Sequence, residues 1–69
     1  MKNATTRRLR GFRIQVYHKG KPSIITPTIW AEQPPVEQWE LVTQDPETIQ
    51  ADLFRSGRKM KGYHYKRTG

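Results

Sequence analysis

The sequence predicts a small single domain of the α+β class, with an N-terminal antiparallel β-hairpin, one or two short helices and a basic C-terminal β-strand. The chain of 69 residues is long enough for one small domain only. Two of its segments alternate apolar and polar residues, as half-buried strands do, and the segment between them has helical spacing and helix-starting residues. With no cysteine to form a disulfide, a core this small is only marginally stable.

The N-terminal part of the chain is predicted to contain a flexible basic arm followed by the first strand of the hairpin. Residues 1–10 have no apolar periodicity and make up the arm, so that residues 11–69 form the domain. Phe12, Ile14 and Val16 then alternate with polar or amphipathic residues, which is the two-residue period of a half-buried strand.

The second strand of the hairpin and a first helix are predicted to follow. Residues 18–21 contain a glycine and form a turn, and residues 23–30 are rich in Ile and Thr, as strands are. Pro27 interrupts this strand, so the strand is either bent there or lies at a sheet edge. Apolar residues three apart within residues 36–43 predict a short helix that begins after Pro35.

A second helix is predicted to begin at Asp45, with Pro46 in its first turn. Asp is a favoured N-cap residue, and proline is favoured at the first helical position. Ile49 and Leu53 lie four residues apart, as on one face of a helix, and the Ser-Gly pair at residues 56–57 ends it. Beyond this pair, alternating residues predict the basic C-terminal strand.

Charged residues are segregated along the chain into three blocks. Residues 1–22 contain seven Lys and Arg and no acid, residues 23–54 contain six acids and no Lys or Arg, and residues 55–69 contain six Lys and Arg and no acid. The formal net charge is +7, because the acidic middle block is too small to neutralise both basic ends. Such an excess positive field attracts phosphate, which makes nucleic acid the predicted partner unless the ends are merely solvated tails.

The C-terminal segment, residues 58–67, interleaves Lys and Arg with aromatic residues. Lys and Arg neutralise phosphates, and the rings of Tyr63 and Tyr65 can stack on unpaired bases; alternatively, both rings pack on the core. Likewise, the basic cluster of the arm either lies along phosphates or in a minor groove, or belongs to a disordered tail. The predicted nucleic-acid-binding residues are Arg7, Arg8, Arg10, Arg13, Arg58, Lys59, Lys61, Tyr63, Tyr65, Lys66 and Arg67.

Residues 47–65 resemble the end of the modular DNA-binding repeats associated with homing endonucleases. The run contains a basic segment that leads to Gly62, Tyr63 and His64 followed by an aromatic residue, and it covers under a third of the chain. The resemblance implies a helix followed by a hairpin, and it favours DNA over RNA as the ligand. Contact through the strands, the basic C-terminal segment and the arm fits the charge distribution better than contact through an acidic helix.

Two alternatives to nucleic-acid binding stay open. The first is a small protein-interaction module that acts as a regulator or accessory subunit of a larger complex, for which an exposed Trp30 or Trp39 would be diagnostic. Both tryptophans are nevertheless expected to lie in the core. The second is a small ribonuclease in which His64 and Tyr65 take part in acid–base cleavage. Because no organised constellation of catalytic residues accompanies them, the protein is predicted not to be an enzyme.

No cofactor or metal ion is predicted, because the two histidines lack ligand spacing with other donor residues. No segment approaches the roughly 20 apolar residues that cross a bilayer, and no apolar region follows the basic N-terminus as in a signal peptide. A cytoplasmic location without membrane contact is therefore predicted. Because small domains often gain stability from a partner, a protein partner or a homo-oligomer is kept as an alternative to a lone monomer.

Overall fold

The computed structural model describes residues 8–67, which form a five-stranded antiparallel sheet and one short helix. The predicted α+β class and single small domain are confirmed. Residues 1–7, which include most of the predicted arm, lie outside the described residues, and the one helix within the described range is too short and too polar to cross a membrane. In chain order the elements are β1 (Arg10–His18), β2 (Ile24–Ile25), β3 (Ile29–Ala31), α1 (Val36–Gln44), β4 (Thr48–Arg55) and β5 (Arg58–Lys66).

The central strand of the sheet is β1. On one side it pairs with β4, which carries β5 on its far edge, and on the other side it pairs with the two short strands β2 and β3. With nine residues, β1 is long enough to pair with β2 towards one end and with β3 towards the other. The predicted N-terminal hairpin is therefore present, with its second strand in two pieces.

The break between β2 and β3 lies at Pro27, as the sequence predicts. Proline has no amide hydrogen to donate to a neighbouring strand, so regular pairing stops there. Thr26 keeps the chain attached to β1 across the break. Its backbone nitrogen donates to the Ile14 carbonyl at 3.0 Å, and its hydroxyl oxygen accepts the Ile14 amide hydrogen, also at 3.0 Å.

The core lies between α1 and one face of the sheet, which we call the inner face. Burial of apolar side chains here is what stabilises so small a domain. From α1, Trp39 and Val42 pack against the core, and the Trp39 ring meets the ring of Tyr63 edge-on, with centroids 5.6 Å apart. The predicted first helix is therefore confirmed. The buried apolar residues are Phe12, Ile14 and Val16 of β1 and Ala51 and Leu53 of β4.

The predicted second helix is wrong, because the segment that follows Asp45 forms strand β4. Ile49 and Leu53 are four residues apart, a spacing that puts two residues on one face of a strand as well as of a helix. Pairing with β1 decides the matter, since Leu53 lies opposite Ile14 and both are buried. Asp45 caps a tight turn instead of a helix: its Oδ1 accepts the backbone N–H of Glu47 at 2.9 Å.

A two-residue turn joins β4 to β5 at the Ser-Gly pair that was expected to end the second helix. Ser56 and Gly57 have φ angles of 51° and 83°. Positive φ at both central residues is the pattern of the tight hairpin turn that matches the twist of two antiparallel strands. Arg55 and Arg58 pair directly across it, so β5 returns alongside β4 and the predicted basic C-terminal strand is confirmed.

Candidate nucleic-acid interface

The sheet face opposite α1, which we call the outer face, is not covered by any helix within residues 8–67. Residues directly opposite each other in paired strands project from the same face, and neighbours along a strand project from opposite faces. Ile14 and Leu53 are buried on the inner face, so their neighbours Arg13 and Phe54, an opposed pair, project outward. Lys59 of β5 lies opposite Phe54 and extends this outward row to the sheet edge.

Trp30 also lies on the outer face, and the expectation that it belongs to the core is wrong. It is 65% exposed and pairs with Gly11 of β1. A β-carbon added to Gly11 would lie 3.4 Å from Cζ3 and Cη2 of the Trp30 ring and 3.0 Å from Cγ2 of Thr28. The indole therefore lies against β1 in the space that a glycine leaves, while much of its surface stays open to solvent.

Trp30 and Phe54 line a cleft of about 590 Å³, which we call the aromatic cleft. Arg13 forms part of its wall, and the Arg13 Nε donates to Thr28 Oγ1 at 3.0 Å, which fixes this guanidinium on the outer face. The cleft thus combines apolar surface with positive charge. Its apolar lining residues are Leu9, Ile25, Trp30 and Phe54, and its cationic ones are Arg10 and Arg13.

A second cleft, of about 640 Å³, lies at the β4–β5 turn, and we call it the basic cleft. Five of its seven lining residues are cationic, and none of those seven is acidic. Like charges gathered in a small volume raise the local positive potential, so an anion that enters is attracted by several of them at once. The five cations are Arg10, Arg55, Arg58, Lys59 and Lys61.

The two clefts adjoin each other, because Arg10 and Ser56 line both of them. The backbone nitrogen of Ser56 donates to the Gly11 carbonyl at 3.0 Å. This hydrogen bond ties the β4–β5 turn to β1 beneath Trp30 and fixes the position of one cleft relative to the other. An exposed aromatic surface and a concentration of positive charge therefore lie side by side at one end of the sheet.

Most of the predicted binding cations meet at this end. Arg13 lines the aromatic cleft, and Arg8 is exposed in the segment that leads into β1. Arg7 lies outside the described residues. The predicted residues that line the basic cleft are Arg10, Arg58, Lys59 and Lys61.

Lys66 and Arg67 lie at the other end of β5, roughly 20 Å from Lys59 for a strand of this length. The Arg67 guanidinium is already engaged: its Nη1 donates to the Pro46 carbonyl at 2.6 Å, and its Nε donates to the Tyr65 hydroxyl at 3.2 Å. Arg67 therefore fastens the end of β5 to the turn before β4. Lys66 is exposed, and its side chain makes no such contact within residues 8–67.

The rings of Tyr63 and Tyr65 are half-buried against the core, which is the alternative that the sequence left open for them. Tyr65 lies opposite the buried Ala51, whereas His64 lies opposite Asp52 and projects from the outer face. Neighbouring residues on a strand point to opposite faces, so His64 and Tyr65 do not share a surface. The two residues named for the ribonuclease alternative therefore project from opposite faces of β5.

His64 is hydrogen-bonded to a buried carboxylate. Asp52 is only 3% exposed, and the His64 Nδ1 donates to its Oδ1 at 2.6 Å while the Gln50 Nε2 donates to its Oδ2 at 3.3 Å. Burial opposes ionisation of Asp52, but these two hydrogen bonds and the positive charges of His64 and Lys59 outweigh it. The pKa of Asp52 is therefore lowered from its ordinary value of 3.8. The pair secures β5 to β4 on the outer face.

Basic and acidic side chains lie close together at the end of the sheet far from the clefts. The His18 Nε2 lies 3.9 Å from the Asp45 carboxylate, and the Lys21 Nζ lies 3.8 Å from the Glu47 carboxylate. Part of the acidic block thus lies next to the turn that follows β1, where Glu47 offsets the charge of Lys21. At the β4–β5 turn, by contrast, the lining of the basic cleft holds five cations and no acid.

Among the charged and aromatic residues that line the clefts, Trp30, Phe54 and Arg55 were not predicted to bind nucleic acid. The positions of Phe54 and Arg55 follow from treating the preceding run as a strand that ends in a Ser-Gly turn, a pattern that the sequence does contain. The position of Trp30 depends on its pairing with Gly11, which no local pattern specifies. Within residues 8–67, no three His, Asp or Glu side chains lie together as a metal site requires.

The two clefts combine concavity with exposed cationic and aromatic side chains. In the segment that resembles homing-endonuclease-associated repeats, the residues expected to be helical form β4, while the following hairpin arm is β5. That resemblance therefore stays a prediction. No family model, curated protein or solved structure matches this chain.

Proposed function

We propose that this protein binds nucleic acid and that the basic cleft holds phosphates of its backbone. The observation that carries this proposal is the set of five cations that lines the basic cleft without an acid among its lining residues. Each phosphate that such cations neutralise releases counterions, so a polyanion is favoured over an isolated small anion. Glu37 and Glu40, acids of the middle block, lie on α1, and neither of them lines the basic cleft.

The proposal also includes the predicted binding residues of the arm and those at the far end of β5. Arg7 and Arg8 precede Arg10 by three and two residues, so they reach phosphates within about 11 Å of it. A nucleic-acid strand that contacts both Lys59 and Lys66 must span roughly 20 Å, which corresponds to about six nucleotides. The resemblance of residues 47–65 favours DNA as the ligand, and a cytoplasmic location stays part of the proposal.

The test is a fluorescence titration of labelled duplex DNA, single-stranded DNA and RNA at low and near-physiological salt. We expect the logarithm of the affinity to fall linearly with the logarithm of the salt concentration. The double variant Arg58→Gln/Lys61→Gln should bind more weakly, with a salt slope lower by about 1.5, because two phosphate contacts are lost.

The matched control is Lys19→Gln/Lys21→Gln, which removes the same amount of charge at the far end of the sheet, where Lys21 lies 3.8 Å from Glu47. This variant should keep most of the affinity and of the salt slope. Equal losses of affinity in the two double variants would show that binding depends only on net charge and that the basic cleft is not a binding site. Absence of binding to all three ligands at low salt would refute nucleic-acid binding altogether.

Exposure of Trp30 favours a second candidate, the protein-interaction module. An exposed tryptophan in an apolar cleft is the kind of residue that dominates the energy of protein interfaces. This candidate predicts that a partner protein copurifies with the wild type after nuclease treatment and is lost in Trp30→Ala. Retention of the same partner by Trp30→Ala, or its release by nuclease, would count against it.

A further inference from the structure

We infer that the aromatic cleft receives an unpaired base, so that the preferred ligand is a single-stranded nucleic acid. This inference rests on the proposed function, because the phosphates of the same strand lie in the adjoining basic cleft. It adds the class of nucleic acid and a base-binding role for Trp30, which charge alone does not supply.

The position of the Trp30 ring suits base stacking. One side of the indole lies against the β1 backbone at Gly11, and the residue is still 65% exposed. A ring supported on one side and open on the other is a platform on which a base can stack. Stacking of this kind is tolerant of sequence, because every base has a π-face.

The residues around the Trp30 ring also suit a base. Phe54 provides a second aromatic surface in the same cleft, and Arg13 is held at its wall by the hydrogen bond to Thr28. A guanidinium fixed in this way can stack on a base or donate hydrogen bonds to its edge. The aromatic cleft has a volume of about 590 Å³, which lies in the size range of small-molecule binding sites. A nucleobase is a group of the kind that such sites bind.

The two clefts adjoin each other in a way that suits a nucleic-acid strand. Each nucleotide of a nucleic-acid strand carries both a base and a phosphate. Arg10 and Ser56 line both the aromatic cleft, which would hold the base, and the basic cleft, which would hold the phosphate. In a duplex the base faces are hidden by stacking, so a duplex offers phosphates to the basic cleft but no base face to Trp30. The aromatic cleft therefore distinguishes a single strand from a duplex, which the basic cleft does not.

The test compares three ligands of equal length, about 12 nucleotides: oligothymidine, its duplex with oligoadenosine, and an abasic strand with the same phosphates. We expect wild-type protein to bind oligothymidine about 10-fold more tightly than the abasic strand, in line with the effect of one stacked base. Trp30→Ala should remove this difference and leave binding of the abasic strand unchanged. Trp30→Phe should keep most of it, because an aromatic ring is restored.

A matched control is Leu41→Ala, which removes an exposed apolar side chain from α1, on the far side of the sheet. It should leave all three affinities unchanged. If wild type binds oligothymidine, duplex and abasic strand equally well, the inference is overturned while the proposed function stands. If none of the three binds at low salt, the proposed function fails and the inference fails with it.

A spectroscopic readout tests the same contact independently. The chain has two tryptophans, so Trp39→Phe leaves Trp30 as the sole indole fluorophore. Stacking on thymine should quench Trp30 fluorescence in this variant, whereas saturation with the abasic strand should not. Equal quenching by both strands would contradict base stacking, because phosphates alone would then account for the change.

Discussion

At the scale of single residues, Gly11 controls where the Trp30 ring lies. A β-carbon there would meet Cγ2 of Thr28 at 3.0 Å and the indole at 3.4 Å. Gly11→Ala should therefore push the indole off β1, lowering the free energy of unfolding by about 1 kcal/mol and weakening the preference for a single strand. Urea denaturation and the oligothymidine titration measure the two effects.

Gly62→Ala is the control for this substitution. Gly62 also lies in a strand, but a β-carbon there would meet nothing within 4 Å. Alanine should be neutral or slightly stabilising at this position, because it restricts the unfolded chain more than glycine does. Equal effects of the two substitutions would mean that loss of glycine in a strand, and not crowding of Trp30, explains the result at Gly11.

Asp52 makes stability depend on pH in the acid range. Its pKa in the folded protein is lowered from 3.8, so ionised Asp52 stabilises the fold above about pH 3.8 and this contribution is lost as the pH falls through the lowered value. Asp52→Asn removes the ionisable group and keeps the size of the side chain. We expect the wild type to be the more stable protein at neutral pH, and the difference to shrink on acidification.

The measurement is the urea midpoint of both proteins from about pH 7 to about pH 2.5. Other carboxylates titrate in both proteins, so their effects largely cancel in the difference. A difference in urea midpoint that stays constant to the lowest pH would show that Asp52 acts through packing and not through its charge.

At the scale of elements, β4 shows how far the sequence determines the fold. The strands at Phe12 and after Gly57 and the helix after Pro35 have clear local patterns, and each forms where it is predicted. The spacing of apolar residues after Asp45 fits both a helix and a strand. The helix-starting residues Asp45 and Pro46 favour the helix, which does not form. What selects the strand is β1, which is some 35 residues away in sequence and needs an apolar partner beside its buried residues.

The same limit applies to the candidate site. Local charge identifies the cations of the basic cleft, because like charges cluster in sequence there. Burial of Tyr63 and exposure of Trp30 are not local properties, since they depend on which face each strand turns towards α1. Hence the positive charge of the site was predictable, whereas the aromatic residue that faces solvent was not.

The helix α1 depends on Trp39 for its attachment to the sheet. Its ring packs on the core and meets Tyr63 edge-on. Trp39→Ala should lower the free energy of unfolding by about 2–3 kcal/mol, because apolar contact and the aromatic pair are lost together. Thermal and urea unfolding followed by circular dichroism measure this loss. Leu41→Ala, on the exposed side of the same helix, should change stability by less than about 0.5 kcal/mol.

At the scale of the whole molecule, charge is distributed unequally between the two ends of the sheet. The β4–β5 end gathers five cations in one cleft, while at the other end Lys21 lies beside Glu47 and His18 lies beside Asp45. In the absence of ligand, repulsion within the basic cleft opposes folding, and a net charge of +7 adds to it. Nucleic acid would relieve this repulsion, and so would dissolved salt.

Raising sodium chloride from about 20 mM to about 300 mM should therefore raise the melting temperature of the free protein, because salt screens like charges. Arg58→Gln/Lys61→Gln should respond less than the wild type, since it removes part of the repulsion. Lys19→Gln/Lys21→Gln loses the same net charge from an end where acids lie close by, so its response should not be smaller than that of the wild type. Scanning calorimetry of the three proteins measures the responses. Identical salt responses in the two double variants would mean that the repulsion belongs to the net charge of the molecule and not to the basic cleft.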